Sequence, residues 1–166
     1  MKYAMMSALA AAEPAEEYRD ELMLFGQFVG DWTFQVKVFR PDGTTDVEHG
    51  EWSFGWILEG RGIQDVWRVP SLAESPAPRQ YGTTIRLFDR QTRGWRCTWH
   101  GLHDGTVLSF VARQVEDEIV LDKSDGGGIV RWIFSDVVAD SFSWRKIRLD
   151  GGAWHLEEEL RARRID

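Results

Sequence analysis

The chain has 166 residues, 43% apolar and 28% charged, the composition of an ordinary globular protein with room for one sizeable core. Its formal net charge of −7 argues against a nucleic-acid surface, which needs a basic stripe. The single cysteine, Cys97, excludes an internal disulfide and a cysteine metal cluster, and no apolar run is long enough to span a bilayer as a helix.

At the start, Lys2 precedes an apolar run from Ala4 to Ala12 that Glu13-Pro14 ends. The run is short for a secretory signal and only one positive charge leads it. Residues 1–14 are therefore read as a flexible leader to a single domain over 15–166. A cytoplasmic location is expected, with export as the alternative.

Ala15 to Phe25 predicts a short helix, with Pro14, Glu16 and Glu17 suited to its positive end and Tyr18, Leu22 and Phe25 on one face. After Gly30 the period changes to two. Trp32, Phe34, Val36 and Val38 alternate with Thr33, Gln35 and Lys37, and Pro41-Asp42-Gly43 turns the chain. Trp52, Phe54, Trp56 and Leu58 share a face of the next strand, and Ile63, Asp65, Trp67 and Val69 a face of the one after Gly60-Arg61-Gly62.

Residues 70–80 contain Pro70, Pro76 and Pro78 without an apolar period, and predict a loop that serves as rim or lid. Strands are then expected over Tyr81 to Phe88, Trp95 to His103, Thr106 to Arg113, Glu118 to Lys123, Ile129 to Val137, Ser141 to Leu149 and Ala153 to Arg163. Asp104-Gly105, Asp125 to Gly128 and Asp150-Gly151-Gly152 mark turns. About ten short strands joined by tight turns predict an all-β, antiparallel up-and-down barrel with a short N-terminal helix.

Gly30-Asp31-Trp32, opening the first strand directly after a helical segment, resembles the G-x-W kernel of the calycin and lipocalin superfamily. The run from Phe25 to Trp32, with the later Leu58-Glu59-Gly60-Arg61, is similar to a calycin-like family of uncharacterised bacterial proteins. The resemblance implies a barrel whose Trp32 packs across a closed end. It does not imply haem, because Thr33-Phe34-Gln35-Val36 stands where the haem-binding branch carries glycines. Arg161 and Arg163 match the carboxylate-holding arginine of fatty-acid-binding members only loosely, and that role is not carried over. The run Arg161, Arg163, Arg164 follows three glutamates and reads as a solvated strand end.

The nine tryptophans carry the functional reading. Residues two apart on a strand share a face, and the more apolar face should point inward. That rule collects Trp52, Phe54, Trp56, Trp67, Ile85, Leu87, Cys97, Trp99, Trp132, Phe134, Phe142, Trp144, Leu156 and Leu160. Such rings either fill the barrel or wall a cavity for a flat apolar or aromatic molecule. The candidate ligand contacts are Trp52, Trp56, Trp67, Tyr81, Trp99, Trp132 and Trp144. Asp65 and Glu158 fall on the inward parity. A buried carboxylate has its pKa pushed up towards the range of a neutral-pH acid or base, while a buried hydrogen bond to an indole, or a salt bridge to an inward Lys146 or Arg148, is the structural alternative for both. His103, near the barrel mouth, is the third proton-transfer candidate. His100 and His103 point to opposite faces if the strand continues, which makes a poor metal pair, and no zinc spacing, phosphate loop or nucleophile elbow is present.

Three functions stay open. One is binding of a small apolar or aromatic molecule, with no cofactor, metal, nucleic acid or membrane involved. Another is a cyclase, isomerase or lyase using the same cavity with Asp65, Glu158 or His103 as acid–base. The third is a homodimeric interaction module with a filled core.

Overall fold

Strand pairing in the computed structural model runs around the sheet without a break. The structure describes residues 4–123 and 129–165. Ten antiparallel strands close into a barrel in the order β1-β10-β9-β8-β7-β6-β5-β4-β3-β2. They are β1 (Gly30–Phe39), β2 (Thr45–Ile57), β3 (Gly62–Val69), β4 (Gln80–Asp89), β5 (Gly94–Gly101), β6 (Val107–Val115), β7 (Glu118–Lys123), β8 (Ile129–Val138), β9 (Ser141–Asp150) and β10 (Ala153–Arg164). Two helices precede them, α1 (Ala4–Leu9) and α2 (Arg19–Gly26). The up-and-down barrel and the short N-terminal helix expected from periodicity are both observed. Residues 1–3 of the expected leader and the expected turn at 125–128 lie outside the described residues. No helix among the described residues is long and apolar enough to cross a membrane.

The main helix starts later than its sequence predicts. Tyr18 takes a left-handed conformation (φ 60°) and caps α2, so residues 15–17 stay outside it. The Ala15 N–H is instead spent on Gly60 O at 3.1 Å, in the β2–β3 turn. Gly60 has φ +82°, and a Cβ there would meet Glu13 O at 2.3 Å, so only glycine fits where this segment docks. The Ala11 N–H likewise donates to Trp56 O at 3.1 Å.

An up-and-down barrel places alternate connections at opposite ends. The end bearing the β2–β3 and β4–β5 turns is covered by α2; Arg93 ties the helix down through Glu21 (2.6 Å), and Arg90 holds the segment before it through Glu17 (3.0 Å). A ten-stranded ring is too wide for its own side chains to fill. At this end the helix and its exit supply the missing volume: Phe25 and Phe28 insert among Phe54, Trp95, Phe134 and Phe142, with ring centroids 4.9–6.3 Å apart. Trp32 packs edge-on against Phe142 at 4.7 Å, and its Nε1 donates to Phe28 O at 2.7 Å. The place implied for Trp32 by the G-x-W resemblance is the one it occupies.

Arg164 is a correction. It is no solvated strand end. Its guanidinium lies 4.1 Å over the Trp32 ring and donates to Val29 O, Gln27 O and Ala139 O at 2.7–3.0 Å. One side chain thus clasps the helix exit and the β8–β9 turn.

Two inner-face assignments also change. On β4 the buried residues are Gly82, Thr84 and Arg86, whereas Ile85 and Leu87 take the outward parity. Choosing the more apolar face fails here because the charge partner of buried Asp65 sits on the polar one. On β10 a bulge between Leu156 and Glu158 shifts the register against β9. It reverses the parity, so Trp154 and Leu156 are exposed while Glu158 and Leu160 turn inward.

Cys97 is a small hydrophobe in the filled half, 1% exposed, and burial pushes its thiol up to about 12. We expect a disulfide reagent at pH 8 to leave the native protein unmodified and to react with one thiol after unfolding in urea. Rapid native-state modification would contradict this placement.

Candidate functional site

At the opposite end, where the residue 70–79 loop and the β5–β6 turn lie, the interior is not filled. A cavity of about 330 Å³ opens there, at the lower end of the range used for small-molecule sites. Its wall is a belt of five indoles. Trp99, Trp132, Trp144, Trp67 and Trp52 follow one another with ring centroids 5.0–6.2 Å apart. Trp52 forms the boundary with the filled half, touching Phe134 at 5.5 Å and Phe142 at 5.8 Å. The sequence left a filled barrel and an open one as alternatives; the molecule is filled at the helix end and open at the other.

Six of the seven predicted ligand contacts line this cavity: Trp52, Trp67, Tyr81, Trp99, Trp132 and Trp144. Trp56 does not. It shares the inward face of β2 but sits one level towards the helix end, where its ring lies flush on Gly26. Leu108 completes the apolar wall, and Arg79, Gln80, His103, Asp104 and Thr106 edge the opening.

Four of the five indole N–H groups are buried or bonded within the wall. Trp67 Nε1 donates to Gln80 Oε1 at 3.1 Å, joining the wall to the end of the predicted rim loop. The Nε1 atoms of Trp52, Trp132 and Trp144 are each buried to less than 1 Å² and have no hydrogen-bond partner among the described residues. Their rings pack edge against face, with Trp52 at 85° to Trp67 and 89° to Trp144. What these four indoles offer a ligand is therefore ring face and carbon.

The three proton-transfer candidates separate. Asp65 is wholly buried in the filled half, outside the cavity lining. Its Oδ2 is 2.7 Å from Arg86 Nη2, and its Oδ1 accepts the Thr84 N–H at 2.7 Å. The β3–β4 ladder skips from Gln64↔Ile85 to Trp67↔Gly82, and this carboxylate bridges the gap. Arg86 is buried as well, with its guanidinium 5.1 Å over Phe25 and 5.3 Å over Phe54.

Glu158 does line the cavity, aimed inward by the β10 bulge, and pairs with Lys146 at 3.6 Å. The salt bridge weighed for it from sequence is thus present, although Lys146 is closer to Glu157, at 3.0 Å. His103 also lines the opening, but from the turn. β5 ends at Gly101, whose N–H bonds Thr106 O at 2.8 Å, so the strand-parity comparison of His100 with His103 lapses. Beside it, Asp104 accepts the Thr106 N–H at 2.9 Å, and that bond holds its carboxyl below the ordinary range. Asp104 is a charged acceptor at neutral pH, not an acid.

Sequence reasoning missed Arg86, Thr84, Lys146 as a wall residue, and Arg79. For Arg86 a signal existed: an inward Asp65 demands a cation on a neighbouring strand, and β4 offers one in register beside it. The described residues contain no group of three or more His, Cys, Asp or Glu placed to hold a metal ion.

No family model matches the chain, and no curated protein does. Solved structures do match in shape. An S-type phycobiliprotein lyase, CPES from Guillardia theta, superposes with a TM-score of 0.58 at 11% identity, over 92% of this chain and 99% of its own. Rv2717c from M. tuberculosis gives 0.65 at 12% identity, over 93% and 100%. At such identities the likeness concerns the fold alone. With its closed ten-strand antiparallel meander, its helix-covered end and its Trp32 kernel, the chain has the fold of a calycin-like β-barrel.

Proposed function

We propose that this protein binds a small, flat, aromatic or conjugated molecule in the indole-walled end of its barrel. The observation that supports the reading is the cavity itself. About 330 Å³ stays open inside a barrel whose other half is packed solid with aromatic rings. A core under selection for stability alone would close such a space, since unfilled volume forfeits dispersion contacts. Ring faces and one leucine suit a planar ligand, and Arg79, Gln80 and His103 edge the way in.

A catalytic reading attaches to the same cavity, and one of the fold neighbours is named a lyase. Proton transfer there would fall to Glu158 or His103, because Asp65 is engaged by Arg86 outside the lining.

Titration with neutral naphthalene derivatives, followed by tryptophan fluorescence excited at 295 nm, tests the binding reading. Saturable quenching is expected. Leu108→Trp, which adds an indole to the cavity wall, should abolish it while moving the melting temperature by only a few degrees, since the added ring enters open space. No quenching by any planar compound, or quenching unchanged in Leu108→Trp, would remove this function.

A further inference from the structure

The charges around the cavity are not arranged evenly. Two cations and two carboxylates line it: Arg79 and Lys146, Glu158 and Asp104. Each cation has its nearest ion-pair partner in a carboxylate outside the lining. Arg79 is ion-paired with Glu48, and Lys146 is 3.0 Å from Glu157. Glu157 gathers a second cation, Arg148. Glu158 has no comparable partner; its ion pair among the described residues is the longer 3.6 Å contact to the same Lys146. The β10 bulge produces this division, setting Glu157 among the cations and Glu158 towards the cavity. At the opening, Asp104 adds a carboxylate held charged by the Thr106 N–H.

The indoles point the same way. The N–H groups of Trp52, Trp132 and Trp144 are sealed and that of Trp67 is bonded to Gln80, so a ligand meets the ring faces of these four, the negative part of the aromatic quadrupole. Several indole faces around one space, with a carboxylate in the wall, make an environment that attracts a cation and repels an anion. A neutral or anionic ligand would leave Glu158 partly buried against apolar surface with little in return.

Taking the binding function proposed above as its basis, we infer that the natural ligand is an aromatic or conjugated cation, with Glu158 as its counter-ion and the faces of Trp52, Trp67, Trp132 and Trp144 as its walls.

Three naphthalenes of different charge, the first two of one shape, test this in the full chain by titration calorimetry: 2-naphthyltrimethylammonium, its neutral isostere 2-tert-butylnaphthalene, and the smaller anion 2-naphthoate. The cation should bind at least tenfold tighter than the neutral isostere, and the anion weakest. Glu158→Gln should lower cation affinity to the level of the isostere without weakening the isostere. Glu158→Asp should keep a preference for the cation. If the isostere or the anion binds as tightly as the cation, the charge inference fails while the cavity reading stands. If none of the three binds, both fail. A cation preference that survives in Glu158→Gln removes Glu158 as the counter-ion. Should that variant not fold, the comparison of cation with isostere in the unmodified protein still decides the ligand's charge.

Discussion

Asp65→Asn is expected to destabilise the protein by about 3–5 kcal/mol, the range for breaking a buried ion pair from one side. Both partners are fully buried, 2.7 Å apart, and no other carboxylate pairs with Arg86 among the described residues. Asparagine is nearly isosteric, so packing would change little. What changes is that a guanidinium held between Phe25 and Phe54 loses its counter-charge. The ring faces offset part of this, but a cation–π contact contributes less than the ion it would replace. Against a total stability of roughly 5–15 kcal/mol the loss is large. The companion expectation separates charge from shape. Asp65→Leu combined with Arg86→Met removes both charges at about constant volume and should lie well above either single variant, since buried pairs often break even against apolar residues. Urea unfolding with equal m-values reads both. An Asp65→Asn protein within 1 kcal/mol of the parent would show that the pair is not what holds β3 to β4.

Residues on β3, β4 and β10 show how far the sequence carries. Alternation identified Trp52, Phe54 and Trp56 as the inward face of β2, because they are large and their neighbours Glu51, Ser53 and Gly55 are not, but it carried that face on to Leu58, which is exposed in the turn after the strand. The same rule failed on β4, where the apolar side chains face out and the inner face carries Gly82, Thr84 and Arg86. Periodicity ranks faces by hydrophobicity, and an ion pair inside the barrel inverts the ranking. On β10 it failed differently. Leu156 and Glu158 share parity in sequence, but a bulge lies between them, and nothing in Leu156-Glu157-Glu158 announces it. Trp56 marks a third limit. Parity tells which face a residue is on, not its height along the barrel axis. Height depends on strand tilt and shear, which follow from all ten registers together. That is why six predicted contacts met in one cavity and the seventh lies at the opposite end.

Gly82→Ala is expected to reduce the affinity for a neutral planar probe at least tenfold and to cost about 1–3 kcal/mol of stability, the usual range for overpacking. Gly82 lies on the inner face of β4 between Trp67 on β3 and Gly101 on β5. The indole of Trp99 covers it so closely that a Cβ would stand 2.4 Å from two ring carbons, and 2.5 Å from His100 O. The carbonyl belongs to the barrel wall and yields little. The ring must move, and with the sheet behind it the space available is the cavity. A glycine inside a strand fits such close approach, and Gly82 is the place where the indole wall can be shifted by one methyl group. Gly55→Ala is the control, because a Cβ there meets nothing within 4 Å and its backbone is not left-handed. That variant should keep the probe affinity and gain up to about 1 kcal/mol, as alanine replaces glycine in an extended segment. Should Gly82→Ala bind the probe and unfold like the parent, Trp99 would have a free route away from the cavity, and its place in the binding wall would have to be given up.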